Sequence, residues 1–444
     1  MSAPTLVPGL TAPARPKKLS SSERVLASGL RVVAIRRPTV PMVEVRLRIP
    51  FFSAKPGHLA RSSLLSRTLL TGTAEHDRTE LAIALGDLGA ELSVGVDADR
   101  LVLSASGIAS GLPALLGLYA ELLTSASYPS AEVAGERGRM LERIAMSRSQ
   151  AGVVAGEALA ERLAPGHPYG RTLPTEQEVT ATTRAQLRSL HSSLVRPDGA
   201  LLVIVGDISP ARALAAAESA LAGWTGTAPA PKAPPLPPIA ASPLLVLDRP
   251  GSVQTAFRFG GPGVGRQDER YPALQLANLI FGGYISSRWV ENIRERKGFS
   301  YSPRSAIEHS ALRSSFTVSA DVATEVTAPA MLETLYELGR MASGPVTEAE
   351  LESVRQYAIG TLALSTATQA GLATTVSGLL GVGVELDWLV NHPLRLARVT
   401  VADVAEVSAQ FLAPRALVGV AVGDAAAITG PLAGIVEVES SVGN

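Results

Sequence analysis

TRAQLRSLHSSLVRP at Thr183–Pro197, followed by VIVGD at Val203–Asp207, is matched later in the chain by TVADVAEVSAQFLAP at Thr400–Pro414 and VAVGD at Val420–Asp424. The offset is 217 residues at both ends, with Thr183/Thr400, Pro197/Pro414, Gly206/Gly423 and Asp207/Asp424 in step. Each copy reads as a threonine-capped amphipathic helix, a proline break and a short buried strand ending in Gly-Asp. Similarity at a fixed long offset is the signature of an internal duplication, so the chain is expected to hold two domains built on one plan.

Working outward, the clearest boundary is the run GTAPAPKAPPLPPIAASP at Gly226–Pro243. Its prolines cannot donate to ladders and favour an extended, semi-rigid connector. The expected division is a flexible N-terminus at 1–22, a first domain at 23–225, the linker at 226–243 and a second domain at 244–436. Arg37-Pro38 and Arg249-Pro250 each separate two strand-like runs near the front of a half. Val32–Ile35 and Val43–Ile49 have β-branched character, Ser62–Leu70 and Thr79–Leu88 have helical spacing, and Leu92–Ser106 returns to strand. Ser130–Leu163 reads as one long helical stretch capped by Ser130, and Thr347 with Glu350 forms a capping box before another long helix. Strand runs mixed with helix runs, without strict βαβ alternation, predict an α+β fold: in each half a mostly antiparallel sheet with helices packed on one face.

Composition narrows the function classes. Of the 444 residues 46% are hydrophobic, enough for a sizeable core, and the formal net charge is zero. A basic stripe for nucleic acid is not suggested by that balance. With no cysteine, disulfides, thiolate metal sites and a cysteine nucleophile are excluded. Met1–Lys18 is rich in proline and alanine without a continuous apolar stretch, unlike a secretory signal. Ala358–Val384 carries no charge over a length that spans a bilayer, but its serines, threonines, glutamine and glycines favour a buried helix pair over a membrane span. A cytoplasmic protein without a membrane segment is expected.

The residues resemble the pitrilysin and mitochondrial-processing-peptidase family from about Arg24 to Gly434. The landmarks, in order, are GLRVVAIRRP (Gly29–Pro38), LLTGT (Leu69–Thr73), GHPYG (Gly166–Gly170), VIVGD, FGGYISSR (Phe281–Arg288) and IRERKGFSYS (Ile293–Ser302). The family carries a zinc motif H-x-x-E-H in its first domain. Counted back from LLTGT, those positions fall on Ser63, Leu64, Leu65, Ser66 and Arg67, and the family's third ligand, a later glutamate, falls on Arg143. Zinc needs imidazole or carboxylate ligands and a carboxylate near its water, and two arginines place cations where the metal would sit. No cofactor is therefore expected in this chain. The six histidines offer no pair at i+3, i+4 or i+5. His76 with Glu80, beside Glu75, is the one helical His–carboxylate pair and reads as a solvated charged cluster.

Arg294 and Tyr301 match an arginine and tyrosine with which family members contact peptide near the zinc. Taken alone, RERKG reads as a charged helix end with Lys297 and Gly298 as its C-terminal signals, and a strand tyrosine usually packs on the core. Their place after FGGYISSR favours a role as hydrogen-bond donors to a developing oxyanion. Arg294 is expected on a helix and Tyr301 on the following strand. Gly282 and Gly283 read as a tight junction of closely approaching backbones. The resemblance implies a heterodimer in which an H-x-x-E-H-bearing partner holds the zinc and this chain contacts the peptide substrate. Two alternatives stay open: a structural core-type subunit, and a homodimer that binds peptides without cleaving them.

Overall fold

The computed structural model describes residues 18–228 and 233–441. Two six-stranded mixed sheets dominate it, one from each half. The first runs in the order β1-β2-β6-β3-β5-β4, from β1 (Ser21–Val25), β2 (Arg31–Arg36), β3 (Met42–Pro50), β4 (Glu91–Val96), β5 (Arg100–Ile108) and β6 (Leu201–Gly206). The second runs β12-β7-β11-β8-β10-β9, from β7 (Leu244–Asp248), β8 (Gln254–Pro262), β9 (Arg304–His309), β10 (Ser314–Ala323), β11 (Val418–Gly423) and β12 (Val438–Ser441). Five strands correspond one to one: β2 with β7, β6 with β11, β3 with β8, β5 with β10 and β4 with β9. The edges β1 and β12 occupy matching places but come from opposite ends of the chain, β1 antiparallel to β2 and β12 parallel to β7. The strand β1 begins inside the segment expected to be flexible, whose residues 1–17 lie outside the described residues, and β12 extends beyond position 436.

The helices α1 (His58–Thr68), α2 (Arg78–Asp87), α3 (Leu112–Ser125), α4 (Ser130–Arg148), α5 (Ala151–Leu163), α6 (Glu176–Ala181), α7 (Arg184–Leu194) and α8 (Pro210–Ala220) belong to the first half. In the second half stand α9 (Tyr271–Phe281), α10 (Arg288–Val290) with a π-helical turn Glu291–Arg296, α11 (Thr327–Ser343), α12 (Glu348–Ser365), α13 (Gln369–Gly381), α14 (Trp388–Arg398), α15 (Val401–Phe411) and α16 (Ala425–Ala433). The threonines read as caps do cap: Thr183, Thr347 and Thr400 each close a capping box with the residue three places on. The stretch expected as one helix from Ser130 is two, interrupted at Ser149–Gln150. Ser130 is the first helical residue after Pro129, with no side-chain cap bond.

Each half packs its own helices on one face of its sheet, as the pattern predicts. In the first half Val43, Val45, Leu47 and Ile49 of β3 meet Leu64, Leu65, Leu115 and Tyr119. The opposite face is closed by a helix from the other half. Leu372, Ala373, Val376 and Leu380 of α13 lie against Val33, Ile35, Leu201, Val203 and Val205 of the first sheet. Reciprocally, Ala155 and Leu159 of α5 lie against Ala256, Val418, Val420 and Val422 of the second. This exchange explains why β6 and β11 are buried at every position: a strand covered on both faces reads as a continuous apolar run.

The duplicated Arg-Pro pairs hold the exchanged helices in place. Arg37 Nη2 donates to the carbonyl of Ala367, just before α13, at 3.1 Å, and Arg249 Nη2 donates to the carbonyl of Ser149, just before α5. The duplicated Gly-Asp glycines are required by close approach. A Cβ on Gly206 would stand 2.4 Å from the Met42 carbonyl oxygen, and one on Gly423 would stand 2.5 Å from Thr255 Oγ1. The uncharged run Ala358–Val384 forms the end of α12 and all of α13. No helix among the described residues is long and apolar enough to cross a membrane.

Candidate functional site

The helix α1 carries Ser63, Ser66 and Arg67, and α4 carries Arg143. Ser66 is buried and bonds back to its own helix, its Oγ donating to the Ser63 carbonyl at 2.9 Å, while Ser63 lines a cleft of about 720 Å³ between the two halves. Burial, reinforced by the nearby charge of Arg143, pushes the Arg67 guanidinium below its ordinary value. The fold thus brings the two arginines together, as the positions of a shared site require. Glu136, about two turns earlier on the same face of α4, stands against Arg143 and Arg139: its Oε2 lies 3.5 Å from Arg143 Nη2 and its Oε1 lies 2.8 Å from Arg139 Nη2. Burial pushes the Glu136 carboxyl up, but the bond from Arg139 and the charges of Arg139 and Arg143 outweigh it and hold it low. Arg143 Nε and Nη2 are nonetheless buried without a hydrogen-bond partner.

This donor set does not fit a zinc ion. Two hydroxyls and two guanidinium groups supply no imidazole, and the single carboxylate, Glu136, is committed to arginines; a dication in this place meets two fixed positive charges.

The π-helical turn carrying Arg294 is firmly anchored. Trp289, fully buried, stacks on Phe281 with ring centroids 5.3 Å apart and donates its indole N–H to Thr334 Oγ1 at 3.0 Å. Asn292 donates to Glu333 and Glu337 of α11 at 2.8 and 2.9 Å, and Lys297 Nζ pairs with Glu333 at 2.9 Å. Arg288 grips Glu350, the capping-box glutamate of α12, through two bonds of 2.7 and 2.8 Å. The glycines before this helix are dictated by crowding: a Cβ on Gly282 would stand 2.8 Å from Trp289, and one on Gly283 would stand 2.6 Å from Asn278.

Tyr301 does not lie on a strand as expected; it sits in the loop between the π-helical turn and β9. Ser300 fixes that loop, its hydroxyl donating to the Asp321 carbonyl at 2.9 Å, and the following Ser302-Pro303 keeps the chain out of the ladder until Arg304. The pair is brought together all the same. The Arg294 guanidinium carbon stands 5.4 Å from the centroid of the Tyr301 ring, a cation–π distance. Tyr301 is 85% exposed. Neither residue lines either of the two clefts of about 700 Å³ at the junction of the halves.

Among the described residues, Glu75, His76 and Glu121 form the one group of histidine and carboxylates close enough to share an ion. The partner expected for His76, Glu80, is instead spent on the capping box with Asp77. His76 Nδ1 lies 2.9 and 3.0 Å from the two oxygens of Glu121, whose bond raises the imidazole above its ordinary value. Thr73 also donates to Glu121. With its side chain only 9% exposed, Glu121 ties the LLTGT turn to α3. Glu75 is exposed and His76 half-exposed, so the cluster keeps the solvated character expected of it, but the carboxylate that pairs with His76 is Glu121 rather than Glu80. Glu121 was beyond sequence reasoning because it lies 45 residues from His76 on another helix.

Residues 181–357 match the family described as the peptidase M16 inactive domain. An uncharacterized zinc protease of Mycobacterium tuberculosis is 27% identical over 408 residues, covering 89% of this chain and 92% of that protein. Another, of Bacillus subtilis, is 23% identical over 377 residues, covering 82% and 90%. The fold is shared with a protease from Helicobacter pylori, with a TM-score of 0.85 at 17% identity over 91% of this chain and 100% of that one. A peptidase M16 inactive domain from Pseudomonas fluorescens follows at a TM-score of 0.83 and 23% identity, covering 91% and 98%. Duplicated sheets, landmark motifs and these likenesses agree: residues 181–357 match the peptidase M16 inactive domain, and over most of its length the chain is similar to uncharacterized zinc proteases and shares the fold of solved M16-type structures.

Proposed function

We propose that this chain is the non-catalytic, substrate-contacting subunit of a heterodimeric zinc metallopeptidase that cleaves peptides. The partner, an H-x-x-E-H-bearing chain of the same family, brings the metal and its activated water. The observation that carries this reading is the contrast between the two places described above. The positions that hold zinc in the family are occupied by Arg67 and Arg143, whose proximity opposes a cation. The pair Arg294 and Tyr301 is intact, held together at 5.4 Å, with half-buried Arg294 on an anchored helical turn and Tyr301 exposed on the loop that follows.

Hydrolysis of an amide builds negative charge on the former carbonyl oxygen, and preorganised donors aimed at that oxygen lower the barrier. Arg294 supplies a guanidinium fork suited to a backbone carbonyl or carboxylate. Tyr301 supplies a phenol O–H on a loop that Ser300 immobilises. A scaffold subunit has no use for such donors on an open surface. Co-expression with the H-x-x-E-H chain tests the reading. Peptide cleavage is expected only when both are present, and Tyr301→Phe is expected to slow it about 10- to 1000-fold while leaving assembly intact. A homodimer that ignores the candidate partner, or turnover unchanged by Tyr301→Phe, contradicts it.

A further inference from the structure

A second cleft, of about 680 Å³, lies where the two halves meet, within the range of small-molecule sites. Arg48 at the end of β3, Arg100 at the start of β5 and Arg266 between β8 and α9 all line it. Neighbouring arginines each have a carboxylate: Arg46 pairs with Glu44, Arg258 with Asp321 and Arg270 with Asp268, each at 2.8 Å. The three in the cleft do not, among the described residues. Arg48 Nε is buried without a hydrogen-bond partner, and the bond from Arg100 goes to the Gly381 carbonyl at the end of α13.

Arg48 and Arg100 lie side by side. A Cβ built on Gly381 would stand 3.3 Å from Arg48 Nη1 and 3.7 Å from Arg100 Nε. Burial and the Arg100 charge push the Arg48 guanidinium below its ordinary value, and Asp97 offsets this only in part. The two aspartates of the same wall are already engaged. Asp97 accepts from the backbone N–H groups of Asp99 and Arg100, both at 2.8 Å. Asp99 accepts from the Tyr169 hydroxyl and from the Ala311 N–H. From the second half, His309 lines the cleft with a buried Nε2 that has no partner, while its Nδ1 lies 2.7 Å from the Ser314 hydroxyl. Thr374 and Thr375 of α13 add hydroxyls to the wall.

Guanidinium groups without a carboxylate, two of them side by side in a half-enclosed cleft, cost free energy unless an anion joins them, and their forked donors match the oxygens of phosphate and carboxylate. We propose that this cleft binds a small oxyanion, a phosphate or a carboxylate, on Arg48 and Arg100 of the first half and Arg266 and His309 of the second. Such a ligand bridges the halves at the point where α12 leaves the second sheet and α13 crosses to the first.

Titration calorimetry on the full chain, at matched ionic strength in chloride, tests this with two probes: inorganic phosphate, and a tripeptide with a free C-terminal carboxylate beside its amide. Saturable binding is expected, weakened at least ~10-fold in Arg48→Gln and in Arg266→Gln, the scale of a lost charge-assisted bond. Binding of phosphate alone identifies a free phosphate site; binding of the tripeptide acid but not its amide identifies a peptide carboxylate site. Absence of saturable binding by both probes, or binding untouched by both substitutions, overturns the proposal. Should Arg48→Gln fail to fold, Arg266→Gln, on a partly exposed loop, carries the test.

Discussion

Rebuilding the zinc motif tests the electrostatic reading of the first half. Ser63→His, Ser66→Glu and Arg67→His together restore H-x-x-E-H on α1 and remove one of the two cations. Arg143 stays, with Nε and Nη2 buried and unpartnered and one carboxylate, Glu136, at 3.5 Å. A dication placed about 5 Å from that guanidinium is opposed by roughly 6–7 kcal/mol at an effective dielectric of about 20. Even halved by Glu136, this is about two decades or more of metal affinity. A fourth substitution, Arg143→Glu, turns the repulsion into attraction and supplies the third protein ligand that catalytic zinc sites need. Competition of each variant with a chelator of known affinity gives the zinc dissociation constant. The quadruple variant should bind at least about 100-fold more tightly than the triple, and the triple should not cleave peptides alone. Equal affinities in the two variants would falsify the claim that Arg143 bars the metal.

Two further outcomes test the fold. Leu372, 1% exposed, packs α13 onto the first sheet, so Leu372→Ala should cost about 2–5 kcal/mol in urea unfolding. It should also speed hydrogen exchange in β6, although the mutated helix belongs to the other half; unchanged β6 protection contradicts the exchange of helices. Burial, with Arg395 and Arg266 nearby, pushes His392 down to about 3. The unfolded chain therefore takes up a proton below about pH 6.5 that the native state declines, so stability falls as pH drops from there toward 3. Between pH 6.5 and 5.0 this amounts to up to about 2 kcal/mol, and His392→Gln should lose that much less over the same interval in urea midpoints.

Much of this was legible in the chain because the duplication repeats its punctuation. Thr183 and Thr400 announce caps, and Gly206 and Gly423 announce a backbone approach too close for a side chain. The all-apolar β6 and β11 imply cover on both faces, but not which helix provides it. Helical spacing in α13 marks an apolar surface without naming its partner, and the partner is a sheet more than 160 residues earlier in the chain. Arg37-Pro38 and Arg249-Pro250 read as strand separators, and their clamp on the exchanged helices depends on that same long-range packing.

At the site, position counting from LLTGT sets Arg67 and Arg143 as members of one expected site, and the structure places the two charges near each other. The Lys297-Gly298 turn after the helix leads the sequence reading to put Tyr301 on the following strand. Pro303 and the Ser300 bond to Asp321 hold it in a loop instead, which leaves the hydroxyl free. The pairing of His76 with Glu121 and the arginine cleft at the junction draw on residues far apart in sequence, so no local pattern reports them.

The most direct measurement is zinc content and peptide turnover of the purified chain, alone and mixed with a candidate H-x-x-E-H-bearing chain as the proposed partner. The account predicts no stoichiometric zinc and no turnover for this chain by itself, with zinc-dependent cleavage emerging in the mixture and weakened by Tyr301→Phe. One equivalent of bound zinc together with unaided peptide hydrolysis by the isolated chain contradicts it.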